Sequence, residues 1–239
     1  MDQPKLDAGL FTGKALSAAM ALVLAGMIII AAGCAGTADQ GKSTNSPGND
    51  AVGKPDETQL QIPPLRIAEL SPAAPQPVGD QLRSGLSVVY YFDYFARHLN
   101  PLTTGSVSAD SGTAGKPIPY LNHRFGREEV FDSGTNRGVA MRMKGLIRFP
   151  ATGEFTFRAL SNDGLRVRID DTMIIDDPTQ HSDRYAIQAV VAIRQSGWYP
   201  LMVEYFQRKG TASIGLYWRT PGAKEFAAVP PESFAHLPQ

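Results

Sequence analysis

Two clusters of side chains in this 239-residue chain have the types and spacing to do chemistry. Asn162 and Asp163 set two side-chain oxygens side by side within Ser161–Asn162–Asp163–Gly164. All four residues tolerate positive φ or bond back to their own backbone, so the segment is a turn. An Asn–Asp pair there serves as a loop nucleus, a metal ligand or an acceptor for sugar hydroxyls. The second cluster is Asp176, Asp177, His181, Ser182 and Asp183. It holds the residue types of a Ser–His–Asp triad, but triads are assembled in space and sequence neighbours seldom meet their geometry. There is no paired acid–base motif, and none of the four His falls in a His–Glu–x–x–His spacing. Asp176 and Asp177 read as solvated loop carboxylates and His181 as a rim residue for ligand contact. The chain is therefore expected to bind rather than catalyse.

The elements that position these residues are strands. Phe155, Phe157 and Ala159, then Leu165, Val167 and Ile169, share one parity on either side of the turn, with mostly Thr or Arg between them. Period-two alternation puts an apolar face inward. The same pattern recurs in Leu86–Phe92, Val139–Phe149, Tyr185–Ile193, Tyr199–Tyr205 and Ile214–Trp218, with turns at Pro150–Gly153, Asp170–Asp171, Gln195–Gly197 and Arg208–Gly210. Short strands separated by Gly, Pro and Asp turns predict an all-β head, an antiparallel sandwich or barrel spanning 85–239. Trp218 shares the parity of Ile214 and Leu216, and Trp198 stands at a strand entrance. Both are expected to pack. The stretch from Leu99 to Arg137 carries only weak strand signals.

The front of the chain differs in kind. Ala15 to Gly33 is an almost unbroken run of apolar and small residues after Lys14, which reads as an export segment or, by its length, a membrane span. It ends in Ala31–Ala32–Gly33 before Cys34, the single cysteine. This ending resembles the bacterial lipoprotein signal, which implies cleavage after residue 33 and lipid attachment at Cys34. With one cysteine no internal disulfide can form. From 34 to 84 the composition is rich in Gly, Pro, Ser, Thr and Asn, too polar to offset its ordering entropy, and is expected to be a disordered tether. Arg66–Leu70 is expected to form one helical turn docked on the head. The expected location is the bacterial cell envelope, lipid-anchored, with the head periplasmic or at the cell surface. With 23 basic and 23 acidic residues, no electrostatic attraction to nucleic acid is expected.

Several motifs of the head, taken in order, resemble one family. They are Gly153–Glu154–Phe155–Thr156–Phe157, then Ser161 through Asp170, Tyr199 through Phe206, Ala212 through Trp218, and Val229–Pro230–Pro231. Together they are similar to the fourteen-kilodalton module first described in the anthrax protective antigen. The resemblance implies a β-barrel or sandwich that binds carbohydrate. In some members two adjacent turn aspartates joined by a cis peptide hold calcium, and a late loop adds an Asn. Carried over, the resemblance points to Asn162, Asp163 and Gln207 as ligand-binding residues, joining His181 from the second cluster, and to Asp163 with Asn162 as the calcium ligands. Here Asn162 replaces the first aspartate, and the late loop Gln207–Gly210 has two cations and no Asn. Both departures remove ligand charge that calcium needs. The partner implied is a glycan or glycoconjugate; a non-lectin module that docks another envelope protein is the second reading.

Overall fold

The computed structural model describes residues 54–67 and 69–238. The export segment, Cys34 and the chain to residue 53 lie outside the described residues. The strands, in chain order, begin with β1 (Leu65–Ile67), β2 (Arg83–Ser84), β3 (Ser87–Tyr91), β4 (Thr113–Ala114) and β5 (Asn122–Gly126). Next come β6 (Val139–Phe149), β7 (Gly153–Asn162), β8 (Leu165–Ile169), β9 (Thr172–Asp177) and β10 (Arg184–Tyr185). The last are β11 (Ala189–Ile193), β12 (Gly197–Gln207), β13 (Ala212–Arg219), β14 (Ala227–Ala228) and β15 (Phe234–His236). One sheet has the order β1-β11-β7-β13-β14, with β10 on β7 and β5 on β13. The other has the order β2-β15-β6-β12-β8-β9, with β3 on β6 and β4 on β3. The head is an all-β sandwich, and of the paired strands among the described residues only β1 and β11 run parallel.

The alternation in the sequence accounts for the core. Phe155, Phe157, Ala159, Leu165, Val167 and Ile169 are all buried between the sheets, as are Met141, Met143, Tyr199, Leu201 and Val203. Phe149 is an aromatic hub, with ring centroids 4.9 Å from Phe155 and 5.1 Å from Tyr199 in edge-on contact. Trp218 packs 5.4 Å from Phe155, in the core as its parity requires. Trp198 is half-buried. Ile169 pairs with Thr172, so Asp170 and Asp171 form a two-residue hairpin, and both have positive φ (50° and 58°). That is the backbone whose twist matches the flanking strands, and Asp adopts it more readily than most residues.

Three expectations differ from the structure. Residues 54–84 do not run free of the head. Asp56 N donates to Asp183 O, β1 adds an edge to β11, Leu70 is buried in the main core, and Gln76 bonds the backbone of Trp198. Composition alone predicts a loose chain, but a preformed sheet edge supplies the backbone partners, and a core notch accepts one leucine. Of the segment at 66–70, Arg66 and Ile67 dock in strand β1 and Leu70 docks in the core, rather than as a helical turn, because the β11 edge competes for the amides. Finally, Tyr185 to Ile193 is not one strand. Ala186 is buried and Ile187 is exposed, so the inward parity shifts by one before Ala189 resumes it. Gln59 Oε1 takes the Ile187 amide at this step.

The stretch from 92 to 112, weakly patterned in the sequence, crosses the outer face of the second sheet. It carries the four-residue helix α1 (Asn100–Thr103) and forms a second apolar cluster of Tyr94, Leu99 and Leu102 with Tyr91, Ala140 and Phe206. Beneath it lies Glu204, 1% exposed. Its Oε1 accepts from Arg142, and its Oε2 accepts from Arg168 and from Thr103 Oγ1 at 2.9 Å. Leu70→Ala is expected to cost about 2–5 kcal/mol, the range for a buried leucine. Urea unfolding measures it, and an unchanged midpoint would mean that 54–84 is not seated on the sandwich.

Candidate functional site

The Asn162–Asp163 turn closes the end of the sandwich where the loops 177–185 and 207–212 also arrive. Gly164 makes the approach possible. A Cβ there would lie 2.7 Å from Pro178 carbonyl atoms and from the Phe206 ring, so only glycine lets the 178 loop rest on the turn. The Asn162–Asp163 peptide is cis. The turn is tied into β12 by Asp163 N donating to Phe206 O and Phe206 N donating to Gly164 O, both at 3.2 Å. Tyr205, fully buried in the core, donates its hydroxyl to Asn162 O.

The side chains of the pair face inward. Asn162 is 6% exposed and Asp163 2%. Asn162 Nδ2 donates to Asp183 Oδ1 (2.9 Å) and Thr211 Oγ1 (3.2 Å). A carboxylate only accepts, so the amide nitrogen must face it. Asp183 is also 3.4 Å from Arg124 Nη1. Asp163 Oδ2 accepts the Arg208 amide at 2.7 Å. Burial raises the Asp163 carboxyl above its ordinary value, and the Arg208 and His181 amides offset this only in part.

Beside it is a buried ionic cluster. Asp177, 3% exposed, is gripped by Arg184, with Nε on Oδ2 at 3.0 Å and Nη2 on Oδ1. His181 Nδ1 donates to Ser182 O at 2.8 Å, while Nε2 stands 3.1 Å from Asp177 Oδ2, too oblique for a hydrogen bond. Burial by itself would raise the Asp177 carboxyl, but His181 and Arg184 outweigh it and hold it below the ordinary range.

The residues expected to touch ligand are thus brought to one end of the fold, but as its foundation rather than its face. Gln207 is fully buried, with Nε2 on the carbonyls of Asn136, Gly210 and Thr211. Gln207 Oε1 and Ser213 Oγ are buried without a hydrogen-bond partner. The His181 side chain is 7% exposed. Asp177, expected as a solvated carboxylate, is buried because Arg184 and His181 neutralise it; Asp176 is 51% exposed and pairs with Arg166. Serine, histidine and aspartate do not form a relay, because Asp177 meets the His181 ring while Ser182 contributes only its carbonyl.

Calcium does not fit the pair as arranged. Asn162 turns a donor, not an oxygen, towards Asp183, and Asp163 spends Oδ2 on a backbone amide. Arg184 and Arg124 already neutralise the neighbouring carboxylates. A hard cation needs several converging oxygens, with carboxylates among them.

What is open at this end is the rim. Phe95 is 47% exposed, its carbonyl accepts from Arg208 Nε at 3.0 Å, and its ring lies against Gly138. Lys209, Gly210 and Thr211 are exposed beside it. Sequence reasoning missed Phe95, which sits outside any strand alternation; its single signal is an aromatic residue between strands.

The family model of the PA14 domain matches residues 82–231. No curated protein sequence matches the chain. Among solved structures, an anti-sigma factor domain-containing protein from Clostridium clariflavum is 19% identical with TM-score 0.52, over 66% of this chain and 48% of that one. The chain spans about half the length of that protein and of a second protein of the same description. The PA14 domain of MpAFP antifreeze protein is 15% identical with TM-score 0.52, over 69% of this chain and 96% of that one. The Epithelial Adhesin 9 A domain from Candida glabrata, solved in complex with Galb1-4GlcNAc, is 10% identical with TM-score 0.55, over 70% and 96%.

Asp177→Asn is expected to cost about 1–3 kcal/mol at neutral pH, because the half-buried Arg184 loses its charged partner. A depressed carboxyl contributes stability above its unfolded pKa, near 4, and loses it as pH falls through the folded value. The gap between variant and parent in urea unfolding should therefore narrow steadily below about pH 4. A gap independent of pH would mean that the charge of Asp177 is not what matters.

Proposed function

The chain belongs to the PA14 domain family, and on that premise we propose that its sandwich is a non-catalytic module that binds glycan or glycoconjugate of the cell envelope. The supporting observation is the rim at the loop end, where an exposed aromatic ring stands beside long polar side chains. The Phe95 ring offers a face for sugar C–H groups. Lys209, Arg208 and Thr211 offer donors and one hydroxyl around it. Asn162, Asp163 and Gln207 hold that rim in shape from below. Loops set on a rigid scaffold are where binding residues concentrate. The Candida glabrata adhesin domain, solved with the disaccharide Galb1-4GlcNAc, supports the same reading.

The site works through direct hydrogen bonds and stacking, so a chelator should leave it intact. On a glycan array probed with the chain from residue 35, retained spots should be the same with and without chelator. Phe95→Ala should weaken them about tenfold, the effect of one aromatic contact. An array without any retained glycan would overturn the reading.

The module is held to the membrane by lipid on Cys34, with the head in the periplasm or at the cell surface. The supporting features are the apolar run to Gly33 and the small residues before the single cysteine. Several acyl chains make such an anchor stable, where one chain binds only marginally. Cys34→Ser should give an unlipidated, uncleaved precursor that takes up no labelled palmitate. Normal maturation of that variant would remove the anchor from the proposal.

A further inference from the structure

The outer face of the second sheet is organised in cross-strand rows. Arg142, Glu204 and Arg166 lie side by side on β6, β12 and β8, and this row is roofed by α1 and its flanks. The next row away from the loop end is Ser87, Lys144, Met202 and Arg168 on β3, β6, β12 and β8. Here the roof has ended.

Two recesses open on this row. One, of about 410 Å³, lies between Lys144 and Arg168 over Pro200 and Met202, with Asp171 on its rim. The other, of about 180 Å³, lies between Ser87, Leu146 and Leu237. Both are lined by Lys144 and Gly145, so they adjoin on this face, and the larger of the two is the trough between Lys144 and Arg168.

The trough has an uneven charge. Lys144 is exposed and pairs with no carboxylate among the described residues. Arg168 stands two strands away, about 10 Å by ordinary strand spacing. Its Nη1 is fixed 3.3 Å from Glu204 Oε2, but Glu204 is itself buried and shared with Arg142. Lys144 and Arg168 therefore both line this space over a thioether and a proline, with Asp171 the single carboxylate there. An anion there gives Lys144 the counter-charge it lacks, and the apolar floor accepts the C–H face of a ring. A volume of a few hundred Å³ suits one or two such units.

We propose that this trough is a second binding site, for an acidic saccharide whose carboxylate or phosphate lies between Lys144 and Arg168. It shares with the reading of the loop end only the chemical class of ligand and uses a different face. Calorimetric titration of the chain from residue 35 with trigalacturonic acid, galactotriose and galactose 6-phosphate tests it. The acidic trisaccharide should bind at least about tenfold more tightly than galactotriose, and more weakly as salt rises. Stronger binding of the sugar phosphate than of the acidic trisaccharide would assign a phosphate-bearing ligand, and the reverse a carboxylate. Lys144→Ala should weaken the preferred acidic sugar about tenfold and Lys144→Glu should abolish it. Both Lys144 variants alter an exposed side chain, and an unchanged urea midpoint checks their fold. Equal affinity for the neutral and acidic sugars, no detectable binding, or indifference to both Lys144 variants would overturn the trough site and leave the loop-end reading standing. Inorganic phosphate that displaces the acidic sugars at equal concentration would overturn the saccharide assignment. Loss of acidic-sugar binding in Phe95→Ala with Lys144→Glu unaffected would move that ligand to the loop end.

Discussion

Glu204 is a carboxylate in the middle of a sheet, on the face that in most sandwiches is left to water, and it is almost completely covered. A buried charge without partners costs several kcal/mol, so each of its oxygens has to be met. Arg142 and Arg168 meet it from the neighbouring strands, and Thr103 meets it from above. The last contact matters most for architecture. It draws the 92–112 excursion onto the sheet, where Leu99 and Leu102 then find an apolar floor in Tyr91, Ala140 and Phe206. One half of the outer face becomes a second small core. The other half, one row further along, stays open and keeps its cations.

That roof also bears on the loop end. Phe206 packs against Tyr94 on the outer side, while the Phe206 backbone holds the Asn162–Asp163 turn on its other edge. Arg208, two residues on, bonds Phe95 O with its side chain and Asp163 with its amide. The exposed rim and the buried pair are therefore parts of one bonded unit. Protein donors and cations meet the acidic groups of this end, so little carboxylate charge is left over for a metal ion. Asn in place of Asp at 162 is the small change behind this, since an amide brings a donor where a carboxylate would bring a second negative charge.

The segment ahead of the family module is the other addition. Residues 54–84 follow one sheet edge, insert Leu70, and meet the far turns through Ser71 on Asp170 and Gln76 on Trp198. A sheet edge left bare is a template for unwanted pairing, and a short parallel strand covers it. The same segment starts at Asp56 beside Asp183 and Tyr185, so it joins the head next to the loop end.

By itself the sequence determined the long strands of the head and, apart from the parity step at Ala186–Ile187, which face of each is buried. Alternation such as Phe155-Phe157-Ala159 is a local pattern, and its energetics are the same wherever the strand is placed. It also determined the turns, since Asp170–Asp171 and Gly164 answer to backbone geometry over a few residues. Only the tertiary structure decided what the polar residues do. Asp177 and Asp176 look alike in sequence, yet one is buried under Arg184 and the other is half in water, because contacts made elsewhere in the fold choose between them. The same holds for Glu204, for the docking of 54–84, and for Phe95, whose role comes from the loop set beside it. Burial of a charge or an aromatic ring at a rim depends on contacts distant in the chain, and those have no period for a sequence to display.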